Sequence, residues 1–179
     1  MRLVIDANRI FAALIRDSIT RKMLVEKEFN LYVPQFVLEE ITKHINELEE
    51  KTGLGRSVLK KKIEELIILS EIKVIPPVEI KPFVEEAKKI SPDPDDVEYV
   101  ALALKMNCPI WSDDKELKVI KKIKIFNTKE LIKEQFSDLT AFKSVITKSK
   151  LKQKDVSKIA TKTSASLHKK YKEKFPGLK

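Results

Sequence analysis

The chain has 179 residues, 42% hydrophobic and 35% charged, with a formal net charge of +9. That length predicts one compact domain plus a tail, and the apolar fraction supports a core. The longest apolar runs, such as Leu66-Ile67-Ile68-Leu69, are too short for a transmembrane helix. The single Cys108 excludes an internal disulfide and a thiolate metal cage. Met1-Arg2 leads straight into a strand-like run, so no signal peptide is expected and a cytoplasmic location is the simplest reading.

The charge is unevenly spread. Residues 1–147 hold 25 basic and 25 acidic side chains, while residues 148–179 hold 11 lysines and two acids, Asp155 and Glu173. A boundary near Thr147 follows, with a main domain over 1–147 and a basic extension over 148–179.

In chain order, Leu3-Val4-Ile5 reads as a first strand ending at Asp6. Leu31-Tyr32-Val33, ending at Pro34, reads as a second. Helices are expected over 35–51 and 56–71, the latter from the spacing of Leu59, Ile63, Leu66 and Ile67. Lys73-Val74-Ile75, before Pro76-Pro77, is a third strand. Val97, Val100, Ala101 and Leu104 mark another helix, and Ile110-Trp111 and Ile123–Phe126 complete five strands. Strands alternating with helices imply parallel pairing through right-handed crossovers, hence a three-layer α/β/α domain. In such sheets the site lies beyond the carboxyl ends of the strands.

Acids stand at those places in four separate segments. They are Asp6, Glu40 in Glu39-Glu40, Asp96 in Asp93-Pro94-Asp95-Asp96, and Asp114 in Asp113-Asp114. Each has an ordinary structural reading. Asp6 caps the next helix. Asp93 is an N-cap with Pro94 in the first turn, where Asp95 and Asp96 suit the helix dipole. Asp113 forms a capping box with Glu116. Together they allow a second reading: Asp96 shares a helix face with Val100 and Ala103, turned toward the sheet. Carboxylates gathered in one place repel, and a divalent cation with a preference for oxygen, Mg²⁺ or Mn²⁺, removes that cost. No Ser–His pair and no glycine-rich phosphate loop offer a different chemistry; His44 and His168 read as surface residues.

These segments resemble the PIN domain family of metal-dependent ribonucleases, which includes the VapC-type toxins. The resemblance runs from about residue 1 to 136. It rests on Leu3-Val4-Ile5-Asp6-Ala7-Asn8, on Val33 to Ile41 around Glu40, on Asp96 ahead of Ala101-Leu102-Ala103-Leu104, and on Pro109-Ile110-Trp111-Ser112-Asp113-Asp114. It implies the strand order 3-2-1-4-5 and a Mg²⁺ or Mn²⁺ site made by Asp6, Glu40, Asp96 and Asp114. Asn8 and Ser112 are the implied donors that orient carboxylates or substrate. Glu39 and Asp113 remain alternatives at the two doublets, and Asp93 is a further alternative. The implied activity is endonucleolytic cleavage of single-stranded RNA, as a toxin paired with an antitoxin or as a processing nuclease. A homodimer is expected, and no membrane partner. The competing reading is a catalytically silent PIN-fold RNA-binding or assembly protein.

Beyond the resemblance, Val156, Ile159, Ala160, Thr163, Leu167 and Tyr171 predict a lysine-flanked helix in the tail. It would either dock on the body or contact RNA phosphates.

Overall fold

The computed structural model describes residues 1–15, 19–25 and 29–134. Five strands form one sheet in the order β3-β2-β1-β4-β5. They are β1 (Arg2–Ile5), β2 (Asn30–Pro34), β3 (Lys73–Ile75), β4 (Ile110–Trp111) and β5 (Ile125–Phe126). All neighbouring pairs are parallel. Between them lie α1 (Ala7–Ile15), α2 (Ile19–Val25), α3 (Val37–Lys43), α4 (Ile45–Thr52), α5 (Arg56–Leu69), α6 (Pro77–Ile90) and α7 (Val97–Met106). Element types, strand order and parallel pairing agree with expectation.

The three layers follow from the order of the strands. The chain steps outward from β1 to β2 and β3, so right-handed crossovers place α1–α5 over one face. It then returns across the sheet from β3 to β4, which places α6 and α7 over the other. Packing agrees: α1 lies against α2, α3 and α4, while α7 lies against α6, β1, β2 and β4. Helices on both faces explain why the central strands are apolar without alternation. Leu3, Val4, Ile5, Ile110 and Trp111 are all completely buried.

Two stretches differ from expectation. The helix expected over 35–51 is broken at His44, whose backbone (φ −92°, ψ 8°) is not helical. Thr42 contributes to the break: its hydroxyl donates to the Leu38 carbonyl at 2.8 Å, a back-bond that bends helices. The last strand is two residues long instead of four, because residues 121–123 form a bend.

Met1–Leu131 form one compact unit, and Ile132–Lys179 a second of which only residues 132–134 are described. The expected boundary near residue 147 and the basic tail helix lie outside the described residues. No described helix is long and apolar enough to cross a membrane.

Candidate functional site

The site begins where β1 and β4 lie side by side. Their register pairs Val4 with Ile110 and Ile5 with Trp111, so the residues that follow, Asp6 and Ser112, come out as neighbours at the carboxyl edge. The strand order reverses here, since the chain leaves β1 toward β2 on one side and arrives at β4 on the other. This is the switch point where open α/β sheets form a crevice.

Asp6 is only 5% exposed, and Ser112 is fully buried beside it. The Ser112 hydroxyl donates to Asp6 Oδ2 at 2.5 Å. Asp6 Oδ1 accepts the Asn8 backbone N–H at 3.0 Å, which is also the capping bond that starts α1. The capping and site readings of Asp6 are therefore compatible: one oxygen serves the helix, and the other is held by Ser112 from the neighbouring strand end. Ser112 Oγ also accepts the Asp114 backbone N–H at 3.0 Å. One hydroxyl thus ties the loop after β4 to the carboxylate after β1. Asp114 Oδ1 accepts the Glu116 N–H at 2.8 Å. The Asn8 side chain is exposed at the mouth of the cleft.

Glu40 reaches the same end of the sheet from α3. Tyr99 of α7 donates its hydroxyl to Glu40 Oε2. The same phenol oxygen accepts the Ala7 N–H at 3.3 Å. Burial pushes the Glu40 carboxyl above its ordinary value; the Tyr99 bond opposes this and the charge of Asp6 adds to it. Tyr99 itself is 2% exposed, with the Phe36 ring edge-on at 6.4 Å. Burial and the adjacent Glu40 raise its phenol further, so it stays a neutral donor. The other member of the doublet, Glu39, is exposed and acts electrostatically on Glu98 of α7, whose carboxyl is raised mainly by burial.

Asp96 feels the whole group. Its carboxyl is pushed up to about 7 by burial, then by Asp6, Asp114, Asp93 and Glu40. The four acids from separate segments therefore share one electrostatic field. Asp93 accepts the Asp95 N–H at 2.9 Å, the expected cap. The helix start differs, however: residues Pro94–Asp96 form a 3₁₀ turn, and α7 begins at Val97.

Asp113 departs from its expected capping box. Its Oδ2 pairs with the Arg9 guanidinium, and its Oδ1 accepts the Thr128 N–H at 3.1 Å. The Asn- or Asp-type turn at this point is made by Asp114 instead, and only a 3₁₀ turn, Leu117–Val119, follows. Arg9 supplies the reason, because a guanidinium outcompetes a backbone N–H for a carboxylate. Trp111 Nε1 also donates to Thr128 Oγ1 at 3.1 Å.

Tyr99, Arg9 and Thr128 were not singled out from sequence. A signal existed for Tyr99: a phenol on the buried face of a helix must find a polar partner, and it lies three residues after Asp96. Nothing local marks Arg9 or Thr128.

The acids are hard oxygen donors of the kind Mg²⁺ and Mn²⁺ accept, and the Asp96 carboxyl is raised first by burial and then by the neighbouring acids. Among the described residues no three acids are already drawn close enough to enclose an ion.

Comparison with known proteins is consistent with this architecture. A chain of the crystal structure of VapBC2 from Rickettsia felis, bound to a DNA fragment from their promoter, is similar in fold with a TM-score of 0.54. The identity is 17%, and the similarity covers 71% of this chain and 98% of that one. No curated protein matches the sequence significantly. The PIN domain profile matches residues 4–137, which hold all but the first two residues of the sheet and all four acidic segments, and the chain belongs to the PIN domain family.

Proposed function

We propose that the chain is a metal-dependent endoribonuclease that hydrolyses phosphodiester bonds of single-stranded RNA. PIN domains are generally nucleases that use divalent metal ions. The observation that carries the reading is the common field at the carboxyl edge, where Asp6, Glu40, Asp93 and Asp114 all act on Asp96. A fold alone has no use for so many half-buried acids; a cation and a phosphodiester do.

In this reading Asp6, Glu40, Asp96 and Asp114 hold Mg²⁺ or Mn²⁺. When bound, such an ion makes a water acidic enough to attack phosphorus and offsets the charge that develops there. The chain's own part is positioning. Ser112 and the Asn8 N–H fix the two oxygens of Asp6. Tyr99 fixes one oxygen of Glu40 and leaves the other to the cleft. The Asp114 N–H bond to Ser112 anchors the loop that carries the Asp114 carboxylate. Asn8, at the mouth, is placed to contact substrate. Glu39 is assigned no ligand role, being exposed; Asp113 is occupied by Arg9, and Asp93 by its cap.

The Rickettsia felis structure is a VapBC2 assembly, which favours an antitoxin protein as the partner here and a toxin–antitoxin role over general RNA processing. A homodimer belongs to the same proposal. The test is cleavage of single-stranded RNA with Mg²⁺ or Mn²⁺, with EDTA, and with the Asp6→Asn chain. Loss of cleavage in both EDTA and the variant supports the reading; metal-independent cleavage, or full activity in Asp6→Asn, rejects it.

A further inference from the structure

Beside the carboxylate cleft a groove of about 430 Å³ runs between α1 and α4, and Asn8, Asp113 and Asp114 line the end that meets the cleft. Its size falls in the roughly 300–1,000 Å³ range of small-molecule pockets. Its walls include Phe11 and His44, whose ring centroids lie 5.5 Å apart at 60°. Resting on the nuclease reading, we propose that this groove is a subsite for one unpaired nucleobase flanking the cleaved phosphodiester, with Phe11 and His44 as its stacking surfaces.

The charges in the groove explain why a base fits it better than a phosphate or an ionic peptide. Arg9 is paired with Asp113, and Lys51 with Glu47. His44 Nδ1 lies 3.2 Å from that same Glu47. Both cations of the groove are therefore committed to carboxylates, and the charge left over is the acid Asp114, so a phosphate or an acidic peptide finds no free cation there. What remains on offer is apolar and aromatic surface, with buried Leu48 also in the lining. An exposed amide, Asn8, stands toward the carboxylates. Two rings and an amide are the means by which single-stranded RNA is held: stacking against the base and hydrogen bonds to its edge. The break at His44 is part of the arrangement. It ends α3 at Lys43 and starts α4 at Ile45, and the imidazole of His44 between them packs at a tilt beside Phe11.

The test uses the full chain carrying Asp6→Asn, with Mg²⁺, and short RNAs holding one 2-aminopurine at successive positions. Stacking should quench the fluorescence at one position. Adding Phe11→Leu or His44→Ala should remove that quench and weaken binding about tenfold, within the range for one stacked base; Phe11→Trp should restore both. Circular dichroism confirms that the variants fold. Unchanged quench and affinity in both variants would overturn the subsite, and if the unsubstituted chain still cleaves RNA the nuclease reading stands. Variant-sensitive quench without any cleavage would keep the subsite and remove the nuclease. Protection of His44 from diethyl pyrocarbonate by a protein partner, and not by RNA, would give the groove to a protein and overturn the proposal.

Discussion

The Tyr99 hydroxyl on α7 donates to the Glu40 carboxylate on α3, joining helices on opposite faces of the sheet through residues 59 apart in sequence. The same oxygen accepts the first N–H of α1. One phenol therefore sets the position of Glu40 relative to Asp6.

Removing that hydroxyl with Tyr99→Phe keeps the ring and its packing. It leaves the Ala7 N–H and the half-buried Glu40 without their partner, a cost of about 1–3 kcal/mol. Mn²⁺ affinity, measured by calorimetry, should fall about tenfold with a modest drop in melting temperature. Unaltered Mn²⁺ affinity would show that Tyr99 serves the fold alone.

Asp6→Asn and Asp113→Asn should separate chemistry from structure. The first removes a buried charge proposed to hold the metal and should reduce RNA cleavage by orders of magnitude. The second weakens a partly exposed ion pair with Arg9, whose side chains are 11% and 45% exposed. It should change cleavage by only a few-fold. The reverse ranking would move the ligand from Asp114 to Asp113.

The Asp96 carboxyl, pushed up to about 7 in the folded chain from an ordinary value of 3.8, makes a prediction about pH. Between those values the folded state keeps a proton that the unfolded state has lost, so its contribution falls as pH rises. Without metal, melting temperature should carry a component that declines from about pH 4 to pH 7, and Asp96→Asn should flatten it. With Mn²⁺ the sign reverses: proton and cation compete, so metal-induced stabilisation should grow up to about pH 7. A metal effect independent of pH over that window would remove Asp96 from the ligand set.

Deleting residues 148–179 removes the whole excess of +9. The truncated chain should still fold and cleave. If the tail grips RNA, log K against log salt becomes shallower by about one unit per lost phosphate contact. If it docks on the body, the salt slope is unchanged and the melting temperature falls. No change in either would leave the tail to another partner.

The sheet was legible because each strand is an apolar run stopped by Asp, Pro or a turn, and the long stretches between carry helical spacing. Strand order came from the PIN resemblance, not from those runs. The acids at the strand ends were legible for the same reason: Asp6 interrupts a run that would otherwise continue. The partners of those acids were not legible. Arg9 and Asp113 lie 104 residues apart, and nothing in either neighbourhood names the other. The break at His44 was hidden because residues 35–51 keep a helical pattern on both sides of it. The backbone turns there through a Thr42 back-bond and a ring contact with Phe11, neither of which periodicity records.

The Ser112–Asp6 bond closes a loop of 106 residues, and β4, which delivers Ser112, is only two residues long. Such a strand has no standing of its own; it pairs only when β1 on one side and β5 on the other are in place. Contacts this distant carry the entropy cost of closing the whole loop between them. During synthesis Asp6 emerges 106 residues ahead of Ser112 and waits for most of the sheet before its neighbours arrive. The cleft is therefore a product of complete folding, and a chain stalled before β4 would present an acid at the end of a strand and no site.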